Sequence, residues 1–228
     1  MSCPELGDAR AVLFGCYGTL IDVAVDEESR KAYEVLSTWL GYEGVDIDPV
    51  ALRREYRERV RSEGGGRSGE RFPALDLVAV WRSICMRHRR TPQVAPHLPH
   101  RCVLMFRAIT VREKAVLPGI LPLLDSLRGI PLGVVSDAQC IVGVTELRQL
   151  GLFEAFNACV WASDYGYGKP DERLFRNAAK KLSVPARHTL FIGGDPWRDL
   201  AGALDAGMMA CHIDGVRTVH GDKVIPAP

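Results

Sequence analysis

No uninterrupted apolar run in the 228 residues reaches the ~18 that a membrane helix needs, and the opening MSCPELGDAR carries two acids and no hydrophobic signal core. Membrane insertion and secretion are therefore not expected, and the chain reads as cytoplasmic. No sign of charge dominates, since 29 Lys and Arg stand against 28 Asp and Glu. That balance argues against a generic nucleic-acid coat or an acidic tail protein. The seven cysteines include no C-x-x-C pair, the six histidines no H-x-x-x-H spacing, and the glycines Gly64 to Gly66 lack the Gly-Lys-Ser/Thr ending of a P-loop. A zinc framework, a histidine metal site and a nucleotide cradle have no sequence support. The cysteines, several of them in apolar surroundings (Cys85, Cys140, Cys159, Cys211), read as reduced core residues and not as a disulfide framework. What remains is an ordinary globular composition, 47% hydrophobic and 25% charged, long enough for one large domain or for a domain with a second one inserted.

Short apolar runs at Ala11 to Phe14, Leu132 to Val135, Thr189 to Ile192 and Met209 to Ile213, with a weaker one at Ala158 to Trp161, alternate with helical stretches. The helices are expected over Ala138 to Leu150, Asp171 to Leu182 and Leu200 to Ala206, two of them closed by Gly151 and Gly207. Alternation of this kind predicts an α/β fold, a Rossmann-like doubly wound parallel sheet with crossover helices. Residues from about Asp26 to Arg112 have another texture. Helices are expected over Asp26 to Leu40 with Gly41 as a stop, from Pro49 to about Arg61 behind an Asp48 cap, over Ala74 to Arg90, and over about His97 to Arg112, with a glycine-rich loop at Ser62 to Glu70. The predicted organisation is thus a core of residues 1–22 and 116–228, with a helical insert at 23–115.

Ligand sites in open parallel sheets lie beyond the carboxyl ends of the strands. The residues there are FGCYGTLID (Phe14 to Asp22), Ser136-Asp137, GYGKPDERLF (Gly166 to Phe175) and GGDPWRDLAGALDAGM (Gly193 to Met208). Asp195 and Asp199, four apart at a strand-to-helix junction, suit a hard cation such as Mg²⁺, which takes few protein carboxylates and keeps water or phosphate oxygens. Lys169 offers a fixed positive charge and Ser136 a hydroxyl for a bound anion. Singly, each has a plainer reading: a helix cap, a surface lysine, a strand end.

In this order the motifs resemble the haloacid dehalogenase superfamily over nearly the whole chain: Ser136, then Lys169-Pro170-Asp171, then Gly194-Asp195 through Asp199 with GALDAGM behind it. The insert is similar to that family's helical cap. The resemblance implies a Mg²⁺-dependent phosphatase or, less often, a 2-haloacid dehalogenase. It also implies an anion-binding set of Thr19, Ser136, Asp137 and Lys169, and metal ligands from Asp195, Asp199 and the backbone carbonyl of Tyr17.

The first motif departs from the pattern. Family members read Asp-x-Asp or Asp-x-Tyr before Gly-Thr, the first Asp being the nucleophile; here the frame reads Gly15-Cys16-Tyr17-Gly18-Thr19. Gly15 has neither nucleophile nor carboxylate ligand, so an aspartyl intermediate is unavailable and Mg²⁺ binding is expected to be weak. Tyr17 stands where phosphatases carry their acid/base Asp, and would act as a weak general acid or donor. Cys16 should face away from residue 15 and pack; Cys140 should open the following helix and be buried. Eleven arginines against five acids between Val50 and Arg90 read as a solvated basic face, with no motif for nucleic acid. The expectation is a hydrolase scaffold, inactive or strongly impaired, that takes a small anionic substrate or ligand. The alternatives are a non-catalytic anion-binding or regulatory protein, and a repurposed enzyme using Tyr17 and Lys169.

Overall fold

A computed structural model describes residues 9–63, 69–90, 92 and 95–217. Strands β1 (Ala11–Phe14) and β2 (Ile21–Val25) are followed by four helices, α1 (Arg30–Tyr42), α2 (Pro49–Glu63), α3 (Leu77–His88) and α4 (Leu98–Thr110). After β3 (Val111–Val116) come α5 (Ile120–Ser126), β4 (Leu132–Ser136), α6 (Cys140–Gln149), β5 (Ala158–Trp161), α7 (Ala162–Tyr165) and α8 (Glu172–Lys181). The chain continues through β6 (Thr189–Gly193), a π-helical turn (Pro196–Ala201), α9 (Gly202–Asp205), β7 (Met209–His212) and α10 (Ile213–Arg217). It divides into two compact units, Met1–Asp22 with Lys114–Pro228, and Val23–Glu113.

The first unit is built on a parallel sheet of order β5-β4-β1-β6-β7, flanked by helices, the α/β Rossmann-like arrangement expected. Every residue of β1, β4 and β6 is buried, which is why these strands read as unbroken apolar runs. Val12 of β1 pairs with Leu132 on one side and Leu190 on the other. Strand order therefore runs outward in both directions from β1, and the crevice that this reversal opens lies at the carboxyl ends of β1, β4 and β6.

In the second unit, α1 buries Ala32, Tyr33, Leu36 and Leu40, one stripe of an amphipathic helix. The rings of Tyr33, Tyr56, Trp81 and Phe106 meet at centroid distances of 4.8 to 6.4 Å and form the unit's core. Asp48 caps α2, its Oδ1 accepting the amides of Val50 and Ala51 at 3.0 Å each, with Pro49 in the first helical position.

Several boundaries differ from expectation. α1 starts at Arg30, because the Asp26 amide donates to the carbonyl of Thr110 and its carboxylate pairs with Arg112 at 2.9 Å, which holds residues 26–29 in an entry turn. Gly41 does not stop α1, which ends one residue later at Tyr42, ahead of Gly44 with its positive φ of 79°. α4 ends at Thr110, and Arg112 lies in β3, which pairs with β2; neither strand was expected. A helix expected from Leu200 is preceded by the π-helical turn that begins at Pro196. The expectation of reduced cysteines throughout is corrected at Cys211, which is disulfide-bonded; an odd count excludes complete pairing but not a single pair. Gly64 to Gly66, within the expected glycine-rich loop, and the first eight residues lie outside the described residues.

Candidate active site

The segments leaving β1, β4 and β6 line a cleft of about 380 Å³. The first supplies Tyr17 and Gly18, the second Ser136, Asp137 and Ala138, the third Gly194, Asp195, Arg198 and Asp199, and Lys169 comes from the segment ahead of α8. Ser136, Asp137, Lys169, Asp195 and Asp199 are thus brought together. Thr19 and Gly15 are not among the lining residues, and both are buried. A roomier depression of about 770 Å³ sits against the start of β4, where the charged residues Asp125 and Arg128 pair with each other at 2.6 Å. Among the described residues lining it, no set of polar groups converges as in the smaller cleft.

Asp199 is 3% exposed and fully engaged. Its Oδ2 accepts the amides of Gly194 at 3.0 Å and Asp195 at 3.1 Å, and its Oδ1 receives the ammonium of Lys169, itself almost buried. Gly193 permits this approach, since a Cβ there would stand 2.5 Å from the Asp199 Cβ. A buried carboxylate is tolerated when an opposite charge and amide donors together replace its water.

Asp137 does related work. Its Oδ1 accepts the Lys169 amide at 2.7 Å, while its Oδ2 lies 2.9 Å from the Arg198 guanidinium and 3.8 Å from Lys169 Nζ. The Ser136 hydroxyl accepts the Ala138 amide at 3.2 Å. Asp195 caps the π-helical turn, its Oδ1 accepting the amides of Trp197 at 2.9 Å and Arg198 at 2.8 Å. The Arg198 amide is the main cause that holds the Asp195 carboxyl below its usual value; burial opposes it, and the Trp197 amide and the charges of Arg198 and Lys169 assist.

Two participants were not expected from the sequence. The Tyr17 hydroxyl donates to Glu146 Oε2 at 2.6 Å, and Glu146 is 3% exposed. Its signal was an acid on the buried stripe of α6, with Val142, Gly143 and Leu147. Arg198 brings a second cation into the cleft; its place three residues beyond Asp195 was the only hint.

At Gly15 the amide donates to the Ile192 carbonyl at 2.9 Å. A Cβ on this residue would meet Thr19 Oγ1 at 2.7 Å and Asp199 Oδ2 at 3.3 Å. Thr19 is wholly buried and its Oγ1 has no hydrogen-bond partner. The hydroxyl therefore stands where a side chain at residue 15 would begin. Cys16 is buried as expected, whereas Cys140, expected to be buried, opens α6 only half-buried, its thiol pushed up to about 11 chiefly by desolvation with Asp164 assisting. Among the described residues no group of three His, Cys, Asp or Glu side chains converges as a metal site.

Residues 9–207 match a protein-family model for haloacid dehalogenase-like hydrolases. A glyceraldehyde 3-phosphate phosphatase of Methanopyrus kandleri is 27% identical over 90% of this chain and 83% of its own length. A phosphoglycolate phosphatase of Agrobacterium fabrum is 26% identical over 86% and 76%. Among solved structures, a 2-haloacid dehalogenase of Pseudomonas syringae pv. Tomato superposes with a TM-score of 0.60 at 25% identity, covering 89% of this chain and 85% of that one.

Proposed function

The chain belongs to the haloacid dehalogenase-like hydrolases, and on that footing we propose that its cleft binds a small phosphate- or carboxylate-bearing anion without turning it over through an aspartyl intermediate. The observation that carries this reading is the relation of Gly15 to Thr19: the residue in the nucleophile's frame has no side chain, and the Thr19 hydroxyl stands 2.7 Å from where its Cβ would be. No carboxylate is available for the first displacement. Lys169 and Arg198, each paired with an aspartate, supply the cationic donors for the anion, and Ser136 a hydroxyl.

Mg²⁺ would find few donors. Asp199 already has both oxygens engaged, and Asp195 has one oxygen on two amides, which leaves its second oxygen and the Tyr17 carbonyl. That set supports weak binding only, with water and the ligand's own oxygens completing the shell. When bound, the ion would add positive charge beside a phosphate oxygen.

A second reading has one observation in its favour. Tyr17 is held by the buried carboxylate of Glu146, an arrangement that fixes a phenol for proton transfer, and with Lys169 it would support chemistry that needs no covalent intermediate.

The test pairs binding with turnover. Calorimetry with inorganic phosphate should show saturable binding that Lys169→Ala abolishes. The unaltered chain should be nearly inert towards aryl phosphates and 2-haloacids, with or without Mg²⁺. Gly15→Asp should gain activity towards at least one of these classes and bind Mg²⁺ more tightly. Vigorous turnover by the unaltered chain, lost in Lys169→Ala and Tyr17→Phe, would replace this reading with the second one.

A further inference from the structure

The second unit contains a pair of thiols that nothing in the reading above employs. Cys85 on α3 and Cys102 on α4 are both wholly buried, and their sulfurs lie 3.8 Å apart, in van der Waals contact, across 17 residues of sequence. Neither is disulfide-bonded. Both sit on the buried faces of their helices, α3 contributing Val80, Trp81, Ile84 and Cys85 and α4 contributing Cys102, Val103 and Phe106, so that contact is set by helix packing and not by a mobile loop. Thiols this close need only a small approach to reach bonding geometry. From this juxtaposition we propose that Cys85 and Cys102 form a reversible two-electron oxidation site that staples α3 to α4.

The electron balance is closed by a peroxide, a co-reactant small enough to follow water into a packed interior. The Cys85 thiolate attacks one peroxide oxygen; an S–O bond forms, the O–O bond breaks, and the expelled hydroxide is protonated to water. The Cys102 sulfur then attacks Cys85; the S–S bond forms, the S–O bond breaks, and the departing hydroxide takes the Cys102 proton. Two thiols and one hydrogen peroxide become one disulfide and two waters, and an added dithiol reverses the change by exchange. Either thiol can donate its hydrogen to the other across the contact, so the same sequence of steps balances with the two sulfurs exchanged. Elsewhere, burial holds the thiols of Cys140 and Cys159 at about 11, so that they are poorer in thiolate at neutral pH. The site is therefore geometrically ready, and it does not depend on what the cleft binds.

The experiment uses the full, reduced chain. After exposure to hydrogen peroxide it is quenched in denaturant with a thiol alkylator and digested with trypsin. The expected product joins the peptides Ser83–Arg87 and Cys102–Arg107 and is lighter than their sum by two hydrogens; dithiothreitol restores both thiols. The oxidised chain should melt several degrees above the reduced one, since a staple restricts the unfolded chain, and Cys85→Ser should lose both the cross-link and the shift. If that variant fails to fold, the peptide map of the unaltered chain decides alone. Recovery of Cys85 and Cys102 in alkylated form after peroxide overturns the proposal. So does oxidation of Cys140 or Cys159 ahead of them, or a bridge from Cys85 to any other cysteine.

Discussion

Tyr17 and Glu146 are joined by a 2.6 Å hydrogen bond across 129 residues of sequence, tying the exit of β1 to the buried side of α6. Glu146 is 3% exposed, so its charge relies on donors such as the phenol in place of water. Removing the donor while keeping the ring, Tyr17→Phe, should destabilise the chain by about 1 to 3 kcal/mol in urea unfolding. Glu146→Gln, which keeps an acceptor and loses the charge, should cost less than Glu146→Ala. Equal losses in the two Glu146 variants would mean that the charge, and not the side chain's shape or a neutral acceptor, sets the value.

Lys169 and Asp199 form an almost buried ion pair, with side-chain exposures of 10% and 5%. Lys169→Ala leaves the Asp199 carboxylate with its two amides and no counter-charge, and should destabilise by about 3 kcal/mol. The double variant Lys169→Ala with Asp199→Ala should be more stable than the sum of the single losses implies, and denaturant melts of all four proteins measure the coupling. Strict additivity would show that the pair contributes nothing as a pair.

A methyl group at residue 15 would stand 2.7 Å from Thr19 Oγ1. Gly15→Ala is therefore expected to destabilise by about 1 to 3 kcal/mol, the usual range for overpacking, and the loss should shrink in a Thr19→Ala background. Thermal melts of the single and double variants read the difference directly. An unchanged loss in the double variant would place the obstruction elsewhere, at Asp199.

Glu55 predicts an acid-sensitive stretch in the second unit. Burial raises its carboxyl, but hydrogen bonds from His88 at 2.7 Å and from Arg59, with their positive charges, outweigh it and hold the group below the usual glutamate range. A depressed carboxyl stabilises the native state above its unfolded value and loses that contribution as pH falls through the folded one. The stability gap between the unaltered chain and Glu55→Gln should thus be full near neutrality and close progressively below about pH 4.5. A gap independent of pH would assign the effect to shape and not to charge.

The central strands were legible because burial on both faces leaves no polar residue in them: AVLF, LGVVS and TLFIG are apolar from end to end apart from glycine and two terminal hydroxyls. β2 and β3 had no such run. IDVAV and VREKAV are partly exposed, with charged residues breaking any apolar signal, so Arg112 was absorbed into the preceding helix. The clustering of Ser136, Asp137, Lys169, Asp195 and Asp199 could be read from strand ends alone, since topology brings those ends together. What each side chain holds could not. Asp137 meets Arg198, and Tyr17 meets Glu146, only because non-adjacent parts of the chain pack side by side. Nor does a single glycine announce that the hydroxyl of a threonine four residues later will lie 2.7 Å from where its Cβ would stand.

The place of β1 in the sheet has a consequence for how the chain is made. It precedes the other strands of its sheet and sits at the centre with a partner on each side, yet those partners begin at Leu132 and Thr189. All of Val23–Glu113 emerges in between, and its helices contact one another over short stretches of sequence. Such local contacts close quickly, whereas a strand that must wait for distant neighbours pairs slowly. During translation the helical unit is thus positioned to fold first, while Ala11–Phe14 remains an apolar segment with both edges open. That interval leaves an apolar strand without its partners, and it ends when β6 arrives to close the second side.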